Sequence, residues 1–147
     1  MTASGIKLAD ANVWLAYAAD GHQHHARARA WFDDQKDESC AFCRVTQMAL
    51  LRHLTNSKIM RENVLTQKNA WAAYEELRND PRVIFANEPP GLESTFRAFT
   101  QSESSSHLLW TDAYLAAFAS VAGFQLVTFD AGIRRFSSVD IAWLDSK

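Results

Sequence analysis

Three aspartates lie where a parallel sheet would gather them into a reactive cleft. Asp10 follows the predicted strand Ile6–Ala9, and Asp130 lies just beyond the predicted strand Gln125–Thr128. Asp112 falls in the first turn of a predicted helix, on the stripe of that helix's apolar residues. Carboxylates gathered in a cleft repel one another, so they need a cation or raised pKa values. A hard divalent cation such as Mg²⁺ meets that need and supports hydrolysis of a phosphodiester.

Each aspartate also has an ordinary structural interpretation. Asp10 could cap the next helix, Asp112 could interact with the dipole at a helix start, and Asp130 could belong to a turn. What points to a site is their joint placement, because all three fall at one edge of the predicted sheet. In sheets of this kind, ligands bind outside the carboxyl ends of the strands.

The elements that must position these residues alternate between short strands and longer helices. The predicted strands are Ile6–Ala9, Ser39–Cys43, Arg82–Ala86, Gln125–Thr128 and, as a possible fifth, Ile141–Trp143. The predicted helices are Asn12–Ala19, His22–Gln35, one capped by Thr46 and ending near Leu54, one capped by Thr66 and ending before Pro81, Leu92–Gln101 and Thr111–Ala122. This alternation predicts an α/β fold whose parallel sheet of four or five strands is covered on both faces.

Composition sets the broad class. The chain has 147 residues, of which 48% are hydrophobic and 22% charged, and this favours one globular domain over residues 1–147 rather than disorder. No apolar run is long enough to cross a bilayer and no secretory signal is evident, so we expect a cytoplasmic protein. The formal charge of −2 does not indicate a generally basic nucleic-acid binder, although local basic stripes could still bind phosphates.

Two smaller clusters have both a chemical and a plain interpretation. Cys40 and Cys43 form a C-x-x-C pair that could bind zinc or act in redox chemistry, with His22, His24 and His25 as further zinc ligands. Free cysteines are among the most buried residues, so two small apolar residues in a buried strand are favoured. The histidines are better explained as a polar helix start.

The segments around the three aspartates read LADANVWLA, LLWTDAYLAAFA and VTFDAGIRRF. They resemble PIN-domain ribonucleases, and most closely toxins of the VapC type, over nearly the whole chain. The resemblance implies a three-layer α/β/α sandwich and Mg²⁺- or Mn²⁺-dependent endoribonuclease activity on structured RNA, such as a tRNA or rRNA loop. It also implies a homodimer and neutralisation by a small VapB-type antitoxin.

The same resemblance assigns roles to individual residues. Asp10, Asp112 and Asp130 match three acidic metal ligands that carry catalysis in the family. Asn12 and Thr128 match polar residues that we place in a supporting shell, where they would orient carboxylates or water. A helix cap and an ordinary strand threonine are the alternatives for these two.

One position departs from the family pattern. PIN domains normally carry a glutamate in the helix after the second strand, and by register that position falls near Ala49. No acidic residue occurs between Glu38 and Glu62, so a full second metal site is weakened. We expect at most one tightly held ion before RNA binds, and Gln47 could supply a neutral oxygen nearby.

Basic and aromatic residues suggest contact surfaces. Arg44, at the end of the second strand, and Arg134 with its neighbour Arg135, after Asp130, are predicted to bind RNA phosphates, although a solvated surface is the commoner role for such residues. An early helix pair that carries Trp14, Tyr17 and Trp31 is the expected antitoxin or dimer surface.

Two other function classes compete with the nuclease. A non-catalytic PIN-like module that binds RNA or protein would explain the missing glutamate, although it would not explain three retained aspartates. The spacing Asp10-x-Asn12 after a first strand is also similar to the nucleophile motif of haloacid dehalogenase-type phosphatases. That motif usually has a second aspartate where Asn12 stands, so this hypothesis ranks third.

Overall fold

A computed structural model describes residues 4–103 and 105–145. Within these residues the strands are β1 (Lys7–Ala9), β2 (Cys40–Phe42), β3 (Val83–Phe85), β4 (Gln125–Thr128) and β5 (Ile141–Trp143). The α-helices are α1 (Ala11–Ala18), α2 (His25–Asp33), α3 (Arg44–Leu54), α4 (Ser57–Met60), α5 (Gln67–Asn79), α6 (Leu92–Phe99) and α7 (Trp110–Ala122). Short 3₁₀ turns cover Arg61–Asn63 and Ala131–Arg135. None of the helices in the described ranges is long and apolar enough to span a bilayer.

The described strands form one sheet in the order β3-β2-β1-β4-β5, and every neighbouring pair is parallel. The predicted α/β fold is therefore confirmed, including the fifth strand. The chain first builds outward from β1 to β2 and β3, and then returns to place β4 on the other side of β1. This reversal makes the β1–β4 boundary the topological switch point, where open α/β sheets bind ligands.

Alternating side chains on the central strands divide the core into two layers. Ala9 of β1 and Val127 of β4 pack with buried residues of α1, α2, α3 and α5 on one face. Leu8 and Leu126 pack with α6 and α7 on the other face. Because side chains alternate along a strand, Asp10 continues the row of Leu8 and is directed toward the α7 layer. The structure is thus the expected three-layer α/β/α sandwich.

Helix α7 is the most deeply buried helix of its layer. Of its residues from Ala113 to Ala119, Tyr114 is partly exposed and the other six are buried, because small alanines let the helix pack closely against the sheet. Gly123 ends the helix in the left-handed conformation, with φ at 74°. That turn brings the chain directly into β4, so the helix that carries Asp112 and the strand before Asp130 are tightly connected.

Three local predictions are wrong. The residue that caps α3 is Cys43 rather than Thr46, whose hydroxyl instead accepts a hydrogen bond from the Cys43 N–H at 2.9 Å. Helix α2 begins at His25 rather than His22, and the short helix α4 was not predicted. Each error lies at an element end or in a single turn, where periodicity carries little information.

The expected aromatic contact surface is also wrong in its main residues. Trp14 is fully buried and stacks on Phe42 with ring centroids 4.2 Å apart, and Trp31 is buried as well. Tyr17 is half-buried against Phe32. These rings build the core of the layer formed by α1, α2, α3 and α5, so they do not form an exposed docking face.

Candidate active site

Asp10 and Asp130 follow neighbouring strands at the carboxyl edge of the sheet. Asp10 is the N-cap of α1, and its Oδ1 accepts a hydrogen bond from the Ala11 N–H at 2.7 Å. Asp130 caps the 3₁₀ turn after β4, and its Oδ1 accepts from the Gly132 N–H at 2.9 Å. Both aspartates therefore cap a helical turn and are also candidate metal ligands, so the structural role does not compete with the functional one.

The Thr128 hydroxyl joins these two aspartates. It donates to Oδ2 of Asp10 at 3.2 Å and accepts from the backbone N–H of Asp130 at 3.0 Å. Thr128 is fully buried as the last residue of β4. A buried hydroxyl that both donates and accepts fixes the relative position of its partners, as expected of a supporting residue.

Asp112 approaches the pair from the first turn of α7. Burial is the main cause that raises the pKa of its carboxyl to about 6, and the negative charges of Asp130 and Asp10 raise it further. The side chain of Asp130 is also within hydrogen-bonding reach of Asp112. Burial likewise raises the pKa of Asp10, against hydrogen bonds from Ala11 and Thr128 that lower it. The three carboxylates therefore interact electrostatically as one cluster.

The carboxylate oxygens of Asp10, Asp112 and Asp130 are the type of ligand that a hard divalent cation prefers. Within residues 4–103 and 105–145, no three His, Cys, Asp or Glu side chains surround a common point as ligands of one ion. Mg²⁺ is typically held by one or two carboxylates, with water and substrate phosphate at the remaining positions. Asp112 and Asp130, whose side chains are within hydrogen-bonding reach, match that pattern most closely.

The remaining predicted site residues are not held by hydrogen bonds to the aspartates in the described part of the chain. Asn12 is exposed in the first turn of α1 and, in the described part of the chain, makes no hydrogen bond to the three carboxylates. Gln47 is buried in α3, and its Oε1 accepts from Arg44 at 2.7 Å. The Arg44 guanidinium also lies 4.9 Å from the Phe85 ring centroid. Arg134 is exposed and packs 4.2 Å over the indole of Trp143.

The cysteines are buried apolar residues, as predicted. Cys40 packs into the α1 side of the sheet and Cys43 into the α7 side. Burial raises the pKa of Cys40 to about 11, so its thiol stays protonated at neutral pH.

The three histidines make separate local contacts at the start of α2. His22 Nδ1 accepts from the His24 N–H, while the His24 ring stacks on Phe129 at 4.7 Å. His25 Nδ1 donates to the Ala16 carbonyl at 2.8 Å. The Nδ1 atoms of His22 and His25 and the ring of His24 thus serve the local fold, which extends the predicted role as a polar helix start into the preceding turn.

Comparison with known proteins matches the PIN domain family model to residues 7–139. The chain is 43% identical to Ribonuclease VapC41 of Mycobacterium tuberculosis, over 93% of this chain and 97% of that protein. The chain belongs to the PIN-domain family. Within that family, 31% identity to Ribonuclease VapC38 of the same species covers 87% of each chain.

Solved structures agree with the PIN-domain fold. VapBC2 from Rickettsia felis, bound to a DNA fragment from its promoter, superposes with a TM-score of 0.67 at 11% identity, covering 95% of this chain and 99% of that one. VapC20 of M. tuberculosis, a toxin that cleaves the sarcin–ricin loop, gives 0.63 at 16% identity, covering 88% and 93%. Identities this low support the fold alone.

Sequence reasoning missed one residue beside the site of this PIN domain, Trp110, and it considered Arg135 only as a contact for RNA phosphates. Arg135 interacts electrostatically with Asp112 and lowers the pKa of that carboxyl. Trp110 is the first residue of α7 and is largely exposed beside the acidic cluster. The sequence did offer a sign of this exposure. Trp110 lies two residues before Asp112, outside the apolar face of the helix, so its indole is not expected to be buried.

Proposed function

We propose that the protein is a Mg²⁺- or Mn²⁺-dependent endoribonuclease toxin that hydrolyses phosphodiester bonds in structured RNA, such as a tRNA or rRNA loop. The observation that carries the proposal is the convergence of Asp10, Asp112 and Asp130 at the switch point of the sheet. Oxygen donors concentrated at that edge are suited to a cation and its phosphate partner. Ribonuclease names among the relatives support the same reaction class.

Asp112 and Asp130 would hold the metal ion, with Asp10 as a third ligand or as an acceptor for its water. When bound, the ion supplies Lewis-acid activation of water and neutralises charge on the phosphate. Thr128 keeps Asp10 and Asp130 at a fixed separation through its two hydrogen bonds. The Gly132 N–H holds Oδ1 of Asp130, which would leave Oδ2 to bind the ion.

The supporting and RNA-contacting roles belong to the same proposal. Asn12 would orient water at the exposed rim of the site, and Gln47 would hold Arg44 in place through their hydrogen bond. Arg44 and Arg134, each packed on an aromatic ring, would contact RNA phosphates on either side of the acidic cluster. An arginine that already packs on an aromatic ring loses less conformational entropy when it binds a phosphate, because the ring restricts its side chain beforehand.

The biological setting is proposed from the relatives. The VapBC2 assembly among the structural neighbours supports a VapB-type antitoxin as partner. We extend this to a cytoplasmic homodimer in which residues 1–147 form a single PIN-like domain.

One observation favours a second candidate function, a non-catalytic PIN-like module that binds RNA or protein. Helix α3 carries buried Ala49 near the position where the family resemblance places a glutamate. A site with fewer carboxylates binds cations more weakly, which would favour binding without cleavage.

Cleavage of total small RNA by the purified protein separates the two functions. The reaction is run with Mg²⁺, with Mn²⁺ and with EDTA, beside Asp10→Asn and Asp112→Asn. Asp37→Asn is the matched control, because it removes one charge from an exposed position away from the site. Discrete fragments that require metal and disappear only in the two site variants support the nuclease. Intact RNA under all conditions, with folded protein free of antitoxin, supports the binding module.

A further inference from the structure

A cavity of about 410 Å³ opens beside the acidic cluster, between the end of α6, the start of α7 and the 3₁₀ turn after β4. Its volume lies within the usual range for small-ligand pockets. The residues that form its apolar wall and its charged edge are Phe99, Leu109, Trp110, Ala113, Phe136 and Arg135. The proposed metal ligands and the proposed RNA contacts of Arg44 and Arg134 use none of this wall.

The cavity and the candidate active site share the first turn of α7 and the side chain of Arg135. Trp110 and Ala113 lie in the first turn of α7 on either side of Asp112, so the cavity and the carboxylate share one helix end. Arg135 lines the cavity and also interacts with Asp112, since its positive charge lowers the pKa of that carboxyl. A ligand in the cavity would therefore contact the same helix end that carries Asp112, and the same arginine that interacts with it.

The aromatic wall is arranged to accept a flat group. Trp110 is 56% exposed and is steadied edge-on by Phe96, with ring centroids 6.1 Å apart and planes at 69°. Phe99 and Phe136 lie 5.3 Å apart with their planes at 32°. The Arg135 guanidinium packs 4.4 Å from the Phe136 ring and donates to the Gly132 carbonyl at 3.0 Å, which holds its charge at the cavity edge.

We propose that this cavity binds one unpaired nucleobase of the RNA substrate, stacked on Trp110, while Arg135 contacts the adjoining phosphate. The proposal rests on the ribonuclease function and adds a base-recognition subsite to it. An unpaired nucleotide combines a planar aromatic group with a neighbouring anion, which is the combination offered by an aromatic wall with a cation at its edge. An apolar side chain of a protein partner would use the wall but not the cation.

Nucleotide binding tests the cavity without requiring cleavage. Binding of AMP, GMP, CMP and UMP is measured by NMR titration in EDTA for the wild type, Trp110→Ala, Trp110→Phe and Trp71→Ala. Trp71, on α5, is the matched control because it is a similarly exposed tryptophan at 46%. We expect at least one nucleotide to bind the wild type and Trp71→Ala equally, Trp110→Ala about tenfold more weakly, and Trp110→Phe within about threefold of wild type. Equal binding to Trp110→Ala, or no binding of any nucleotide to the wild type, would overturn the subsite.

Sequencing of the cut ends of a random RNA pool tests specificity. The wild type and Trp71→Ala should prefer one base at a fixed position beside the cut, and Trp110→Ala should cut more slowly and lose that preference. An unchanged preference in Trp110→Ala would refute the subsite while leaving the nuclease intact. If the wild type does not cut but nucleotides still bind through Trp110, the ribonuclease proposal fails instead. If Trp110→Ala weakens only antitoxin binding, the cavity is a protein-docking site and the inference is wrong.

Discussion

At the residue scale, Thr128 is the side chain on which the geometry of the carboxylates most depends. Its hydroxyl satisfies Asp10 Oδ2 and the Asp130 N–H simultaneously, in a position closed to water. A buried donor or acceptor left without a partner costs about 1–3 kcal/mol, so this single oxygen affects both stability and site geometry. Valine has nearly the same shape and lacks the hydroxyl, which makes it the informative replacement.

Thr128→Val should lower the rate of RNA cleavage about tenfold and the free energy of unfolding by about 1–2 kcal/mol. Because the hydrogen bond from Thr128 lowers the pKa of Asp10, losing it raises that pKa, and the acid limb of the pH–rate profile should move to higher pH. Cleavage rates from pH 5 to 8 and urea unfolding measure both effects. Thr128→Ser retains the hydroxyl and should behave like the wild type. An unshifted profile in Thr128→Val would show that the bond does not tune Asp10.

Asp112 makes the metal-free protein less stable at neutral pH. Its pKa is about 6 in the folded protein against an ordinary 3.8, so the folded state keeps a proton that the unfolded state releases. Ionisation of Asp112 therefore lowers the free energy of unfolding as the pH rises from about 4 to 6, and this loss of stability is complete above about pH 6. Asparagine resembles the neutral carboxyl and avoids the penalty.

Asp112→Asn should therefore unfold at a higher urea concentration than the wild type at pH 7.5 in EDTA. We expect a gain of about 1 kcal/mol, reduced from the full linkage value because the carboxyl is partly exposed and solvent screens it. At pH 4 the difference should disappear. Asp37→Asn removes the same formal charge from an exposed site and should show no such dependence. A constant gain at both pH values would attribute the effect to packing rather than to ionisation.

At the element scale, the sequence predicts the frame of the site well because strand-end carboxylates and helix stripes have clear periodicities. Gln125–Thr128 matches β4 in both bounds, and the helix carrying Asp112 begins one residue earlier than predicted. The order of the strands is not contained in any local pattern, since the return of β4 to the other side of β1 depends on long-range packing. The hydrogen bond from Thr128 to Asp10 forms because β4 lies beside β1, and no local sequence pattern predicts it.

Errors in the predicted contact surface also have a physical cause. Trp14 lies at helical spacing from other aromatic residues, and periodicity alone does not distinguish a core stripe from a binding stripe. The structure buries Trp14 against Phe42 because α1 packs on the sheet. Trp110 escaped notice for the opposite reason, because it begins its helix outside any stripe.

Gly123→Ala should lower the free energy of unfolding by about 1 kcal/mol, because an alanine at φ 74° is strained where glycine is not. Urea unfolding measures the loss. Gly21→Ala is the control, since its φ lies outside the left-handed region and an added Cβ meets no heavy atom within 4 Å. A variant of Gly123 as stable as the wild type would mean that α7 can end without the left-handed residue.

At the scale of the whole molecule, a nuclease of formal charge −2 would have to accept RNA, a polyanion, at the sheet edge that carries three aspartates. Arg135 interacts with the carboxylate of Asp112, but the negative charge of Asp130 still raises the pKa values of Asp10 and Asp112. Repulsion between the cluster and RNA decreases when cations occupy the site, so metal binding and RNA binding should favour each other. A ligand that binds only the folded state also stabilises the whole chain.

Mg²⁺ should therefore raise the melting temperature of the wild type in the absence of RNA. At a free concentration ten times Kd, the stabilisation is about 1.4 kcal/mol, equivalent to about 3–6 °C for a chain of this size. Differential scanning calorimetry from zero to 20 mM Mg²⁺ measures the shift, with Asp112→Asn/Asp130→Asn as the site variant and Asp37→Asn as the charge control. The shift should saturate in the wild type and the control and vanish in the double variant. An equal shift in all three proteins would place the cation elsewhere on the surface, because only the double variant removes the carboxylates that would hold it.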